Sequence, residues 1–310
     1  MKQESMRDAF GASIVELGGR YPELMVLDAD VSGSTRAGKF EAAYPDRFFN
    51  VGVAEANLVD VAAGLATAGY HPVVSTFGIF LALKATDQIR NVVCYNNLPV
   101  IIAGGYGGMS DSFDGASHHS LTDIAIMRAL PNMTVLVPGD AQEVRDAFAA
   151  AMEIDGPVYI RLSRNDSPVL FEGSEPLEVG KARVLSSGSD LTIAAAGVPV
   201  HMAVEAQRQL EAKGISVQLI ETASVKPLDT ETLCRSVQTT GKLLTVEEHT
   251  VIGGVGSACA EAVSRRVPAL IDMIGIEDTF TESGPYDQLL AKYGISVEEI
   301  VRRGEALVKR

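Results

Sequence analysis

One acid, Glu55, stands where a carboxylate is costly. In FNVGVAEANL (49–58) an apolar, strand-like run ends at Gly52, and Glu55 follows at the head of the helix-like AEANLVDVAAGLATAG. Steps of three and four from Glu55 reach Leu58, Val59, Ala62, Ala63 and Ala66, while Asn57, Asp60 and Thr67 fall on another face. The acid therefore heads the apolar stripe. An acid in a first helical turn interacts with free backbone N–H groups, worth roughly 0.3–1 kcal/mol, and does so as well from water. A carboxyl turned toward a core instead loses solvation, holds its proton more tightly and becomes a candidate for acid–base work. Both readings stand on this window alone.

Other stretches carry chemistry at strand ends. Phe77 and Phe80 in VSTFGIF either fill a core or form a wall on which a flat heterocycle stacks. The loop GGYGGMSDSFDGASHHSLTD (104–123) is long and dense in Gly, Ser, Asp and His, as functional loops are. It places His118 and His119 just ahead of a helix start, with no third soft ligand at zinc spacing. In YIRLSRND, Arg161 and Arg164 either hold an anion bidentately or make salt bridges. Gly253, Gly254 and Gly256 in IGGVGSACAEAV resemble a phosphate turn weakly and serve equally for close helix packing.

These residues need a scaffold. The chain of 310 residues is 46% hydrophobic and 21% charged, ordinary globular composition with core enough for two domains. A net charge of −14 without a basic cluster argues against nucleic acid and anionic membranes as partners, though not against small anions. Three scattered cysteines, no apolar run of spanning length and a polar start, MKQESMRDAF, point to the cytoplasm. Apolar runs at 24–30, 47–53, 71–77, 98–105, 133–139 and 157–163 do not alternate with polar residues, which marks strands buried on both faces. Amphipathic segments near 4–18, 54–68, 80–94, 120–129 and 140–154 separate them. This is the pattern of an α/β, doubly wound, mostly parallel sheet, whose ligands bind outside the carboxyl ends of strands. DSPVLFEGSEPLEVG (166–180) has linker composition, and a smaller α/β series follows in DLTIAAAG, ISVQLIET, KLLTVEE and PALIDMIGI. The expected division is a first domain over 1–168, a linker over 169–182 and a second domain over 183–310.

Taken together, GVAE, STFxxF with DQIR, DGASH, LPNMTVLVP, VEEHTVIGGVGSA and DTFTESGPYDQLL resemble the C-terminal half of the transketolase family, in order and across the whole chain. The resemblance implies a thiamine diphosphate pyrimidine-binding domain followed by a transketolase C-terminal domain. It implies that Glu55 hydrogen-bonds the ring nitrogen of the cofactor's aminopyrimidine, that Phe77 and Phe80 wall that ring, and that Asp30 also lies at the cofactor. Arg7, Ser34 and Arg164 match positions that hold a sugar phosphate, and Asp114 and His118 those that contact sugar hydroxyls, His118 with a catalytic part. Family members bind the diphosphate through Mg²⁺ with a Gly-Asp-Gly motif and a later Asn. No Gly-Asp-Gly occurs here; PGDAQ and FDGAS are the nearest strings. The Mg²⁺ ligands are therefore expected from a partner, an N-terminal transketolase subunit, with this chain dimeric in a heterotetramer.

The expected activity is transfer of a two-carbon ketol unit between a ketose, phosphorylated in the ordinary case, and an aldose. Three departures bear on substrate choice. Tyr106 stands where a second substrate histidine is common, Leu83 at a position aromatic in many full-length members, and Lys84 in place of a frequent arginine. They leave open an unusual sugar, such as apulose 4-phosphate or a sulfonated ketose. Other thiamine enzymes are the nearest rivals: deoxyxylulose-phosphate synthase, normally one chain, and the ketoacid dehydrogenase beta subunit, whose substrate has no phosphate for Arg164 and Ser34. A non-catalytic scaffold has no use for Glu55 and His118.

Overall fold

The computed structural model describes residues 2–310. The six continuous apolar runs of the first half all form strands. After a short β1 (Gln3–Ser5) come β2 (Leu24–Asp28), β3 (Phe48–Asn50), β4 (His71–Phe77), β5 (Ile101–Gly105), β6 (Thr134–Leu136) and β7 (Val158–Arg161). β8 (Asp166–Pro168) pairs antiparallel with β1. The second half supplies β9 (Arg183–Ser186), β10 (Leu191–Ala195), β11 (Val217–Glu221), β12 (Ser224–Lys226), β13 (Lys242–Thr250) and β14 (Leu270–Ile276). A seven-stranded sheet runs β12–β6–β7–β5–β4–β2–β3, and a five-stranded sheet runs β14–β13–β10–β11–β9. Within these two sheets all pairs are parallel except those made by the edge strands β12 and β9.

The strands alternate between two apolar layers, as a period of two requires. Leu24, Val26, Val73, Ile101 and Ile160 pack with Phe10, Ile14 and Phe148, from helices Met6–Arg20 and Ala141–Ala151. Leu27, Val74, Ile102 and Tyr159 pack on the other face with Leu58 and Val59 of helix Glu55–Thr67 and with Ile89. Each fully buried Leu, Ile, Val or Phe side chain contributes roughly 1.5–3 kcal/mol, so the strand ends are held firmly. The segment expected as one helix over 80–94 is instead broken into Gly78–Lys84, Thr86–Gln88 and a π-turn, Ile89–Cys94.

Two features were not visible in the sequence pattern. β12 belongs by position to the second half but closes the edge of the first sheet, pairing with β6. The segment of linker composition is fastened down: Asp140 Oδ2 accepts from Leu170 N (2.6 Å) and Phe171 N (2.9 Å), and Asp146 Oδ2 from Leu177 N (3.1 Å). Among the described residues, no helix is long and apolar enough to cross a membrane.

Candidate active site

Helix Glu55–Thr67 begins at Glu55, and its buried residues are Glu55, Leu58, Val59, Ala62, Ala63 and Ala66, the stripe read from spacing. Glu55 is 4% exposed. Its slot is not wholly apolar, however. Lys84 Nζ donates to both carboxylate oxygens, at 3.1 and 3.2 Å, and lies 4.4 Å above the centre of the Phe80 ring. The Lys84 side chain is half exposed, so its ammonium has a path into water while Glu55 has none.

An aromatic wall stands next to this pair. β4 and β5 run side by side with Phe77 opposite Gly105, which sets Tyr106 against Phe77. Their rings stack at 4.3 Å, and His118 meets Phe80 edge-on at 5.2 Å. Tyr106 holds a left-handed backbone (φ 59°) that a bulky side chain adopts only under constraint. Part of the constraint comes from the second half of the chain. Glu248 in β13 accepts from Met109 N (2.6 Å) and from the Tyr286 hydroxyl (2.8 Å). At Gly108 (φ 66°) a Cβ would sit 2.2 Å from the Glu248 carboxyl carbon, so the loop passes that carboxylate only as glycine. Burial pushes the Glu248 carboxyl up to about 7.

The expected anion-binding residues meet at Tyr106. Arg7 Nη1 donates to the Tyr106 hydroxyl (3.2 Å) and to the Ser34 carbonyl (3.1 Å), and the Tyr106 hydroxyl donates to that carbonyl too (3.2 Å). The Ser34 contact is thus through its backbone, with the side-chain hydroxyl outside these bonds. The Arg164 guanidinium lies 5.3 Å from the Tyr106 ring centre and donates to Asp111 Oδ1 at 2.9 Å. Asp28, at the end of β2, organises the turn that presents Ser34: its Oδ1 accepts from Val31 N at 2.6 Å. Burial pushes the Asp28 carboxyl up to about 6, against the pull of that hydrogen bond.

Residues 2–169 match the model described as transketolase, pyrimidine binding domain, and residues 180–300 that of transketolase, C-terminal domain. The chain belongs to the transketolase family. A solved split-gene transketolase, described as an inactive β4 tetramer, superposes with a TM-score of 0.92 at 45% identity, covering 98% of each chain. A provisionally assigned transketolase C-terminal section of Methanocaldococcus jannaschii is 42% identical over 303 residues, 97% of this chain and 95% of that one. The 6-deoxy-6-sulfo-D-fructose transketolase subunit of Clostridium sp. strain MSTE9 is 36% identical over 310 residues, 100% of this chain and 96% of that one.

Within this transketolase chain, two arginines that looked alike in sequence part company. Arg161 is buried and donates to Asp123 Oδ2 (2.8 Å) and to the carbonyls of Ser120 (2.7 Å) and Glu248 (2.9 Å). It braces the loop from behind, whereas Arg164 stands at the Tyr106 ring. Burial works to raise the Asp123 carboxyl, but the charges of Arg161 and His249 hold it below the ordinary carboxylate value. His119 turns away from His118, buried, with Nδ1 at 2.6 Å from the Thr281 hydroxyl. The glycine turn at 253–256 is filled by the chain's own Glu247, which accepts from Val255 N (2.7 Å) and Gly256 N (2.8 Å), so no phosphate fits there. Asp30 lies off the aromatic cluster, exposed, accepting from Asn50 Nδ2 at 2.9 Å.

A buried carboxylate beside an aromatic wall suits a flat, protonatable heterocycle, so Glu55, Phe77 and Phe80 fit the pyrimidine end of thiamine diphosphate. For a cation, Asp111, Asp114 and His118 bring ligand atoms within 4.8 Å of one another, but Arg164 already places its charge on Asp111. A pocket of about 550 Å³ opens beside the site, lined by Leu83, His119, Thr250, Ile276 and Phe280 among others. It contains none of Glu55, Phe77, His118 or Arg164, so residue chemistry and not volume locates the centre. Asp28, Asp111 and the Glu55–Lys84 pair were missed from sequence. Asp28 carried one available signal, an acid at a strand's carboxyl end, and Asp111 another, its place in the long polar loop after β5.

Proposed function

We propose that this chain is the C-terminal subunit of a split transketolase, transferring a two-carbon ketol unit from a ketose to an aldose with thiamine diphosphate. The observation that carries the proposal is convergence. A buried acid, an aromatic wall and two guanidinium groups meet at the carboxyl ends of neighbouring strands, in a chain whose sequence has no Gly-Asp-Gly. The Mg²⁺ and diphosphate ligands then come from an N-terminal subunit, and two copies of this chain pair within a heterotetramer. We divide the chain at 169–182 and place it in the cytoplasm, where Cys94, Cys234 and Cys259, all free and buried, stay reduced.

Thiamine diphosphate, when bound, supplies the carbon nucleophile for ketol transfer. Glu55 shares a proton with the ring nitrogen of the pyrimidine, and burial keeps water from competing for it. Lys84 gives up Glu55 to that nitrogen and moves toward solvent, which its half-exposed side chain permits. Phe77 and Phe80 hold the ring face, and Asp30, two residues past β2 and away from that ring, borders another part of the cofactor. His118 and Asp114 contact sugar hydroxyls, His118 exchanging a proton at the oxygen of the reacting carbon. Arg164 and Arg7 clamp an anionic tail, with the Ser34 hydroxyl as a further donor; charge-assisted bonds are roughly twice as strong as neutral ones, so each arginine outweighs the hydroxyl. Tyr106, a phenol filling the seat between the arginines, favours a phosphate or sulfonate of less common shape, a branched pentulose phosphate or a sulfonated ketose, over xylulose 5-phosphate.

Titration calorimetry with thiamine diphosphate and Mg²⁺, on this chain with and without an N-terminal subunit, tests the division of labour. Binding and turnover are expected only from the pair. Tight Mg²⁺-dependent binding by this chain alone overturns the split site.

A further inference from the structure

Asp111 has no part in the chemistry above, yet its position demands one. Its side chain is 1% exposed. One oxygen, Oδ1, accepts from Arg164 Nη1 at 2.9 Å; the other, Oδ2, has no hydrogen-bond partner. A buried carboxylate oxygen without a donor is costly, and folded proteins rarely leave one so. The carboxylate is also crowded: burial first, then the charge of Asp114, whose carboxyl faces it within hydrogen-bonding reach, raises the Asp111 carboxyl above the ordinary value, so two acceptors meet there with no donor between them. Its surroundings are built rather than loose. Ser110 Oγ accepts from Arg164 N at 3.1 Å, and the Asp111 carbonyl accepts from Asp114 N at 3.2 Å and Gly115 N at 3.3 Å.

The missing partner must donate a hydrogen bond and sit beside both Asp114 and His118. A second cation is disfavoured because the guanidinium of Arg164 already lies against Asp111. A neutral O–H donor is not. It would lie between the anion seat at Arg164 and the aromatic wall that His118 joins, along the polyol segment of a bound sugar. We propose that Asp111 is a substrate-binding and positioning residue. Its Oδ1 aims the Arg164 fork at the anionic tail, and its Oδ2 accepts a hydrogen bond from a hydroxyl of the chain between that tail and the reacting carbonyl. The site thereby selects polyhydroxylated, anionic sugars over their deoxy analogues. A site built to bond a hydroxyl rejects the analogue lacking it far more strongly than an apolar pocket rejects a missing methylene.

This inference rests on the transketolase reading, and the experiment separates the two. The two-subunit complex is assayed with ribose 5-phosphate and with its 2-deoxy and 3-deoxy analogues as acceptors, for the wild type, Asp111→Asn and Asp111→Ala. The wild type should prefer the full sugar over at least one deoxy analogue by tenfold or more in kcat/KM. Asp111→Asn, which keeps the size and the fold, should reduce that preference to within about threefold, with a rise in KM. Asp111→Ala should do the same and also weaken the preference for phosphorylated over unphosphorylated sugar, because Arg164 loses its guide. A working complex in which Asp111→Asn keeps the wild-type preference overturns the inference alone, as does a wild type blind to every deoxy analogue. A wild-type pair that turns over no ketose and aldose overturns the functional reading and this inference with it. If the alanine variant fails to fold, the asparagine variant decides.

Discussion

Asp28→Asn isolates one buried carboxyl whose energetic cost follows from the structure. Asp28 is 0% exposed, at the end of β2, and its carboxyl is pushed from 3.8 to about 6. The folded state therefore keeps its proton at pH values where the unfolded chain has lost it. Stability from this group is fully present below about 4 and is lost as pH rises through about 6. A difference of about 2 units corresponds to roughly 3 kcal/mol. Asparagine has nearly the same shape, and its side-chain oxygen still accepts from Val31 N, so the turn at 29–35 and the Ser34 carbonyl should stay in place. Urea unfolding of both proteins, followed by circular dichroism at pH 4.5, 5.5, 6.5 and 7.5, gives the comparison. All other titrating groups cancel in the difference between the two. The variant should gain on the wild type as pH rises, by up to about 3 kcal/mol near pH 7. A difference that is flat across this range refutes the reasoning, because Asp28 would then be ionised in the folded state at no cost.

Three further outcomes follow from the same geometry. Glu55→Gln should retain the fold and lower turnover by the two-subunit complex about 10²–10⁴-fold, since Gln cannot share a proton with the cofactor ring; activity within a few-fold of wild type returns Glu55 to a helix-end role. Arg164→Ala should raise KM for a phosphorylated or sulfonated sugar far more than for its uncharged counterpart; equal losses on both remove the anion clamp. Glu248→Gln should flatten the fall in stability between pH 5 and 7.5, because the Glu248 carboxyl, pushed up by burial to about 7, loses its stabilising share as pH rises; an unchanged profile in denaturant melts goes against it.

Much of this molecule was legible in one dimension because two periodicities are strict. Strands covered on both faces must be apolar throughout, and every such run in the first half formed a strand. The face of helix Glu55–Thr67 could be counted, so the burial of Glu55 followed. Contacts between residues distant in sequence had no such signature. Lys84 reaches Glu55 across 29 residues, and nothing in LALKATDQIR announces it. Arg161 and Arg164 are three residues apart with similar neighbours; only the end of β7 decides that the first turns inward to Asp123 and the second toward Asp111 and the Tyr106 ring. The strands β1, β8, β9 and β12, three or four residues each, are too short for any pattern, and tertiary pairing alone defines them.

The strand β12 gives the chain an indivisible character. It comes from the second half, yet it covers the β6 edge of the first sheet, while Glu248, from the same half, holds the backbone at Met109. A fragment ending in the 169–182 segment would carry an open, hydrogen-bond-hungry border and a site loop with nothing to shape it. Recombination can exchange the two halves only as one inherited piece. Anyone assembling a chimeric ketol transferase should keep β1 with its partner β8 and leave the interior of this chain uncut.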